Sequence, residues 1–130
     1  LAGHLSYTDA RYDQLVEVVG TNTVSRQGNT PSNTPDWVTG LTTTWQPSAA
    51  LSLALDWRHV GQRYANTANT VWDGAYDLFG LSASWQWSRQ LSLRARVNNL
   101  ADKSFAATAG TNLVYLGAPR TWQLSADWQF

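Results

Sequence analysis

Hydrophobic and polar residues alternate along several stretches of the chain, and residues 119–130 show the pattern most clearly. One parity there holds aromatic and aliphatic residues, and the other holds Thr, Gln, Ser and Asp. Because successive side chains of a β-strand point to opposite faces, the pattern predicts a strand with one apolar and one polar face. The apolar series is Trp122, Leu124, Ala126, Trp128 and Phe130.

The same alternation predicts five earlier strands, and therefore an all-β chain: an antiparallel up-and-down meander of about six strands with no helix. The predicted strands cover about residues 1–8, 36–45, 51–64, 79–87, 91–98 and 119–130. The connections between them are alternately long and short. A soluble sandwich gives no reason for that rhythm, whereas outer-membrane barrels have short periplasmic turns and long external loops. The pattern thus predicts six transmembrane strands of an outer-membrane β-barrel.

The apolar parity predicts a lipid-facing surface. Aliphatic residues occupy the middle of the strands, while Trp and Tyr lie near both strand ends, as in the two interfacial aromatic girdles of membrane barrels. The residues expected to meet lipid near the midplane are Leu53, Leu55, Leu81, Ala83, Leu93, Ala95, Leu124 and Ala126.

Charged residues in the predicted strands fall mainly on the polar parity. An Arg facing lipid at the midplane costs about 2–4 kcal/mol, so we expect these side chains to face the lumen. Two roles remain open for them: salt bridges and hydrogen bonds within the wall, or contact with an anionic ligand that passes through. The candidate lumen charges are Asp56, Arg58, Arg94, Arg96 and Asp127.

The composition limits the classes of function. A formal net charge of zero argues against a nucleic-acid partner, which requires a basic face. The chain has no Cys, which rules out disulfides and thiolate metal sites within it. The mean hydropathy is −0.34, and no apolar run approaches the roughly 20 residues of a membrane helix. Since the chain starts at Leu1 rather than at Met, we expect it to be a piece of a longer mature protein.

Few residues suggest chemistry. His4 and His59 lie on different predicted strands and opposite parities, and Ser, His and Asp are scattered, so neither a metal site nor an enzyme is expected. Aromatic and Arg residues in the long loops suit ligand recognition, although interfacial anchoring explains most of them equally well. These candidate ligand-facing residues are Arg63, Tyr64, Trp72, Tyr76 and Tyr115.

Four segments carry a family resemblance. Residues 97–105, VNNLADKSF, resemble the V-x-N-L-x-D-K-x-aromatic signature near the end of TonB-dependent outer-membrane receptors. Residues 117–121, GAPRT, followed by an alternating strand that ends in Phe, resemble the C-terminus of that family. Residues 60–64, VGQRY, and 28–35, GNTPSNTP, are similar to earlier family segments. Ala101 departs from the aromatic residue often found at its position.

The resemblance implies that residues 1–130 are the C-terminal segment of a barrel of about 22 strands with a plugged lumen, whose plug and earlier strands lie outside the chain. It implies active import driven through the TonB complex, most similar to the ferric-siderophore branch, in the outer membrane of a Gram-negative bacterium, with no intrinsic cofactor. The expected partners are lipid, the rest of the barrel, TonB through the absent N-terminal part, and the barrel-assembly machinery. The resemblance implies that this machinery reads the terminal series from Trp122 to Phe130.

Two alternatives remain open at this point. One is a passive porin or another outer-membrane barrel, which would lack an upstream plug. The other is a soluble, Trp-rich β domain that binds carbohydrate, since eight of the residues are Trp.

Overall fold

The computed structural model describes residues 1–130, and every regular element in it is a β-strand. Six of the strands form one antiparallel sheet, which confirms the predicted meander. Their order across the sheet is Ala2–Tyr7, Trp37–Ser48, Leu51–Val60, Tyr76–Gln86, Leu91–Asn98 and Thr121–Trp128. No helix that is long and apolar enough to cross a membrane is present. In chain order, the strands are β1 (Ala2–Tyr7), β2 (Val16–Val19), β3 (Asn22–Ser25), β4 (Trp37–Ser48), β5 (Leu51–Val60), β6 (Arg63–Tyr64), β7 (Trp72–Asp73), β8 (Tyr76–Gln86), β9 (Leu91–Asn98), β10 (Ala106–Ala109), β11 (Val114–Leu116) and β12 (Thr121–Trp128).

The register of the sheet brings like residues together across neighbouring strands. Leu55 of β5 lies opposite Leu81 of β8, and Ala95 of β9 lies opposite Leu124 of β12. Directly opposite residues share a face, so these pairs build a continuous apolar face. Asp56 of β5 lies opposite Gly80 and belongs to the polar face. A slip of one residue would exchange the two faces, and the alternation in the sequence therefore fixes the register.

The sheet is a single layer without a hydrophobic core. Only 10 of the 130 residues are buried, and no side chain is fully enclosed. Leu124 is 83% exposed and Leu55 is 44% exposed, because no second sheet packs on the apolar face. A soluble domain of this size buries well over half of the surface that its unfolded chain exposes. The apolar face therefore depends on an apolar surrounding that the chain does not itself supply.

The connections separate the two ends of the sheet. Residues 49–50 and 87–90 make the short connections at one end, here called the turn end. Residues 8–36, 61–75 and 99–120 make the long connections at the other, here called the loop end. Aromatic rings pair on both ends: Trp85 and Trp87 at the turn end, with ring centroids 4.6 Å apart, and Tyr7 and Trp37 at the loop end, also 4.6 Å apart.

The long connections contain structure that the sequence pattern does not predict. Each holds a small antiparallel hairpin: β2 with β3, β6 with β7, and β10 with β11. Strands of two to four residues are too short for alternation to reveal them. The sheet strand β5 also ends at Val60, not near Tyr64 as expected. The Gly61 amide still donates to the Trp37 carbonyl of β4 at 2.8 Å, but Arg63 and Tyr64 pair with β7 instead of with the sheet.

Strand β4 also departs from the prediction. It continues through Pro47 to Ser48 instead of ending at Trp45, and its register against β5 shifts between Trp45 and Ser48. Such an irregularity tolerates Pro, which has no amide to donate to the ladder.

The two C-terminal sequence motifs meet at the loop end. Asn99 and Asp102 adopt left-handed backbone conformations with φ of 51° and 52°, which Asn and Asp tolerate best among residues other than Gly. The Asp102 carboxylate accepts a bond from the Arg120 amide at 2.8 Å. A Cβ atom on Gly117 would lie 1.9 Å from the Phe105 ring, so only Gly permits this ring to lie against the backbone. The motifs thus shape the connection between β9 and β12.

Candidate functional site

The polar face carries all five predicted lumen charges, and four of them form two ion pairs. Arg94 Nη1 lies 3.2 Å from Asp127 Oδ2, and Arg96 Nη2 lies 3.6 Å from Asp56 Oδ2. The Thr42 hydroxyl also donates to Asp56 Oδ1 at 2.8 Å. These bonds join β4 to β5, β5 to β9 and β9 to β12 across the polar face, and each ion pair remains partly open to solvent.

Arg58 is the fifth of these charges and differs from the other four. Its guanidinium takes part in none of the ion pairs or side-chain hydrogen bonds of the structure. The residues opposite it are Gly40 on β4 and Leu78 on β8, and neither side chain offers a hydrogen-bond acceptor. The polar face therefore retains one positive charge that the sheet does not neutralise.

Two titratable residues of the apolar face, His59 and Asp77, lie at the loop end and bond to each other. His59 of β5 lies opposite Asp77 of β8, with its Nδ1 2.9 Å from Asp77 Oδ1. The Trp57 indole donates to the same carboxylate oxygen at 2.9 Å. This mutual bonding reduces the cost of placing polar groups near an apolar surface.

The loop end is organised around Arg63. Its side chain is 3% exposed, and its guanidinium donates to the Ala106 carbonyl, to Asp73 Oδ2 at 3.4 Å and to Asn33 Oδ1 at 3.4 Å. The Tyr76 ring lies 5.6 Å away in a cation–π arrangement. The sequence analysis placed Arg63 at a ligand-facing surface. The structure corrects this placement, because the guanidinium is enclosed by all three long connections.

Two asparagine side chains link the same three connections. Each bonds to both the backbone amide and the backbone carbonyl of one distant residue, as a neighbouring strand would. Asn33 accepts from the Ala109 amide at 2.9 Å and donates to the Ala109 carbonyl at 2.9 Å. Asn69 does the same with the amide and carbonyl of Thr30, at 2.8 Å and 2.9 Å. Both Asn residues have positive φ, 58° and 55°. The three long connections are therefore joined into one unit, here called the loop cluster (residues 8–36, 61–75 and 99–120).

A cavity of about 240 Å³ opens in the loop cluster. Three of the five candidate ligand-facing residues line this cavity: Tyr64, Trp72 and the buried Arg63. Trp72 is 64% exposed. Tyr76 packs instead on Phe105, with ring centroids 4.6 Å apart, and supports Arg63. Tyr115 lies apart in β11 and is 62% exposed.

Polar groups complete the lining of this cavity. Thr30, Thr34, Asp36 and Gln62 contribute side chains beside the aromatic rings. An exposed aromatic surface next to hydroxyl, amide and carboxylate groups can hold a ligand of mixed polarity, because the ring binds apolar parts and the polar groups fix the orientation. Nowhere does the chain gather three or more His, Cys, Asp or Glu residues into a group that could hold a metal ion.

The hairpin of β2 and β3 is tied to the second long connection through Glu17. The Thr67 hydroxyl and the Arg26 guanidinium both donate to its carboxylate, the latter at 2.7 Å. These two hydrogen bonds, that from Thr67 first, hold the pKa of Glu17 below its ordinary value.

The terminal series lies on the outer edge of the sheet. Strand β12 pairs with β9 on one side only, and its other backbone edge has no partner within the chain. Trp122, Leu124 and Trp128 are all exposed on its apolar face. Strand β1 forms the opposite edge in the same way.

The sequence analysis missed Asn33 and Asn69, which the structure places at the centre of the loop cluster. Both occur in Asn-, Thr- and Gly-rich stretches that predict turns. A signal was available, since Asn is the residue other than Gly that most readily accepts a positive φ. Their distant partners are not visible in the sequence, however, because Asn33 and Ala109 are 76 positions apart.

Comparisons with known proteins agree with this architecture. The family model described as "TonB dependent receptor-like, beta-barrel" matches residues 1–100. A ferrioxamine receptor of Yersinia enterocolitica is 29% identical over 110 residues, which are 79% of this chain and 16% of that protein. The vitamin B12 transporter BtuB of Vibrio vulnificus is 34% identical over 73 residues, 55% of this chain and 12% of the transporter.

A solved structure extends the agreement in fold to almost the whole chain. The siderophore receptor PiuA from Acinetobacter baumannii superposes with a TM-score of 0.86 at 20% identity, over 97% of this chain and 19% of that receptor. At that identity the match concerns the fold alone. The chain therefore spans less than a fifth of the length of each of these relatives.

Replacing Asn33 by Ala should loosen the loop cluster. The buried amide and carbonyl of Ala109 would lose their partners, which costs about 1–3 kcal/mol. In hydrogen exchange of the full-length protein, peptides that cover residues 105–118 should exchange roughly tenfold to a hundredfold faster. Asn66→Ala is the control, because the Asn66 side chain bonds only to Thr70 and Val71 within its own connection. Equal exchange in the two variants would contradict the linking role of Asn33.

Replacing Glu17 by Gln should expose Arg26 to trypsin in the full-length protein. A carboxyl with a lowered pKa stabilises the folded state fully above its ordinary value of 4.5, and this contribution is lost as the pH falls below that value. The Gln variant imitates the protonated state at neutral pH, so cleavage after Arg26 should be at least roughly twofold faster. Asp9→Asn is the control, because it removes a carboxylate from the more exposed Asp9–Arg11 pair and should leave cleavage after Arg26 unchanged. Unchanged cleavage in the Gln variant would show that the hairpin is held by other contacts.

Proposed function

Since the chain belongs to the TonB-dependent receptor β-barrel family, we propose that it forms the closing strands of an outer-membrane receptor that imports a ferric siderophore or a similar metal chelate. TonB-dependent receptors are outer-membrane proteins of Gram-negative bacteria, and we place this chain in that membrane. The observation that carries the proposal is the coreless single sheet, which has one apolar face, one polar face and a structured loop cluster at one end only.

The apolar face has the dimensions that a membrane requires. Trp37 and Trp45 lie near opposite ends of β4 and bound a segment of nine residues, and a tilted transmembrane strand needs about 9–11 residues. The apolar band of an outer-membrane barrel is about 25 Å tall, and tilted strands cross it with aromatic residues at both boundaries. The His59–Asp77 pair lies at the loop end of β5 and β8, where polar groups on the lipid side cost least.

The polar face and the loop cluster supply the transport side of the proposal. In this arrangement the turn end faces the periplasm and the loop cluster faces the medium, where its cavity beside Tyr64 and Trp72 meets the ligand first. Energy would come from the TonB complex through a part of the protein outside these residues. The open edges of β1 and β12 would pair with the remaining strands of the same barrel, because no unpaired edge persists in lipid.

Strand β12 takes on a second role in this proposal. Its free edge and its apolar series, Trp122, Leu124, Ala126, Trp128 and Phe130, suit recognition by the barrel-assembly machinery through strand addition. In such an addition, backbone groups supply affinity and alternate side chains supply specificity.

Other functions fit the observations less well. A soluble carbohydrate-binding domain would need a core, and the sheet has none. A passive porin would not account for the family match over residues 1–100. The cargo has a second candidate, since the vitamin B12 transporter relative favours a corrinoid, which is also a metal chelate.

Deletion of the gene tests the proposed function. We expect the deletion strain to lose growth on ferrioxamine as the sole iron source under iron limitation, and to recover it when the gene is restored. Growth of the parent and deletion strains on an iron salt in excess is the control. Unchanged growth on ferrioxamine with loss of vitamin B12 uptake would transfer the assignment to a corrinoid. Unchanged uptake of both would contradict the proposal.

A further inference from the structure

A polar depression of about 560 Å³ interrupts the apolar face at its loop end. Its level on the sheet is that of one row of residues, in which Thr39 of β4 lies opposite His59 of β5, and His59 lies opposite Asp77 of β8. The next row towards the turn end is apolar and contains Leu41 and Trp57. The depression therefore lies at the boundary where the apolar face ends.

Small residues leave room for the depression, and an aromatic ring forms one of its walls. Gly61 and Ala75 contribute no large side chain to the lining, and a Cβ atom on Gly61 would lie 3.1 Å from the Trp37 carbonyl oxygen. The Trp37 ring packs on Tyr7, with ring centroids 4.6 Å apart, and Trp37 is still 46% exposed. The ring thus offers a supported apolar surface to a molecule that enters the depression.

The polar groups of the lining are not consumed by bonds within the chain. The side chains of Asp36, Thr39 and Gln62 take part in none of the side-chain hydrogen bonds or ion pairs of the structure, and His59 bonds to Asp77 through Nδ1 alone. A carboxylate accepts hydrogen bonds, an amide can donate them, and a hydroxyl does both. Neither Arg nor Lys lines the depression. The lining therefore suits a group rich in hydroxyls better than it suits an anion.

We propose that this depression holds the saccharide headgroup of a lipid in the outer leaflet of the membrane. A sugar ring has C–H groups on its faces, which pack on an aromatic ring such as that of Trp37, and hydroxyls at its rim, which bond to the polar lining. An anionic headgroup is bound through Lys or Arg, and the lining has neither. The acyl chains of the same lipid lie along the apolar row that contains Leu41.

The sheet neighbours of this site all belong to the chain. Strand β4 lies between β1 and β5, and β5 lies between β4 and β8. The depression opens on the face opposite to the lumen, so a plug inside the barrel does not cover it. The inference rests on the membrane placement in the proposed function and goes beyond the import function, because it concerns the lipid side of the wall.

The test measures the dissociation constant of the first lipid that binds to the complete receptor, by native mass spectrometry in a detergent without a sugar headgroup. Only receptor that migrates as assembled, heat-modifiable barrel is measured, so that a folding defect does not count as a binding defect. Diglucosyl diacylglycerol is the saccharide probe, and phosphatidylglycerol with the same acyl chains is the reference.

Matched variants on β4 separate the site from the rest of the apolar face. Trp37→Leu removes the aromatic wall, and Thr39→Val removes the hydroxyl with little change of shape. Trp45→Leu and Thr43→Val make the same two changes on the same face of the same strand, nearer the turn end, and serve as controls.

We expect the wild-type receptor to bind the glycolipid at least roughly tenfold more tightly than phosphatidylglycerol, since one aromatic contact and several hydrogen bonds act together. Trp37→Leu and Thr39→Val should each weaken glycolipid binding roughly twofold to tenfold, and should change phosphatidylglycerol binding less than about twofold. The two controls should change neither constant.

Three results would overturn the saccharide site and leave the import function standing: equal affinity of the wild-type receptor for both lipids, unchanged glycolipid binding in both Trp37→Leu and Thr39→Val, or equal weakening by the two controls. A complete protein that forms no heat-modifiable barrel would overturn the membrane placement together with this inference.

Discussion

The structure depends on an apolar face that the chain itself leaves uncovered. Most of the large hydrophobic side chains of the sheet lie on one side, and nothing packs there: Leu81 and Leu124 are as open as surface residues. In water this arrangement would be unfavourable, because the hydrophobic effect is the main force that opposes the entropy of the unfolded chain. In lipid the same face is satisfied, and the sheet needs only to pair its backbone groups. On the proposed placement in the outer membrane, the single-layered sheet, the aromatic rings at both ends and the polar second face all follow from the replacement of a core by lipid.

The loop cluster follows a different rule, since Ala65 and Ala109 are its only buried hydrophobic residues. Its stability comes from side chains that take the place of backbone partners. Asn33 bonds to Ala109 as a strand would, Asn69 does so with Thr30, and Arg63 fills the space between the three connections. Each bond is modest by itself, but buried partners are costly to leave unmatched, so the bonds act together. Two of the bonded residues, Thr30 and Arg63, also line the cavity beside Trp72.

The sequence predicts the sheet far better than it predicts the loop cluster. Alternation with a period of two determines which residues face each side, so it places Asp56 and Arg96 on the same face, although β8 lies between their strands. The course of the long connections has no comparable period. The burial of Arg63 depends on Asn33 and Ala106, which lie 30 and 43 positions away, and no local pattern encodes such distances. The sequence likewise does not predict that Arg58 is unpaired, because this follows only from the ion pairs that the structure shows among the other four charges.

The central claim is that one parity of the strands meets lipid while the other faces an aqueous lumen. These 130 residues contain no Cys, so single cysteines can be introduced along β5 of the complete receptor and labelled with an environment-sensitive fluorophore in lipid vesicles. Labels at Leu53 and Leu55 should be quenched by a lipid-attached quencher, and labels at Ala54 and Asp56 by a water-soluble one, with a period of two residues. Quenching that does not alternate along the strand, or labels at Leu53 and Leu55 that respond to the water-soluble quencher alone, would contradict the account.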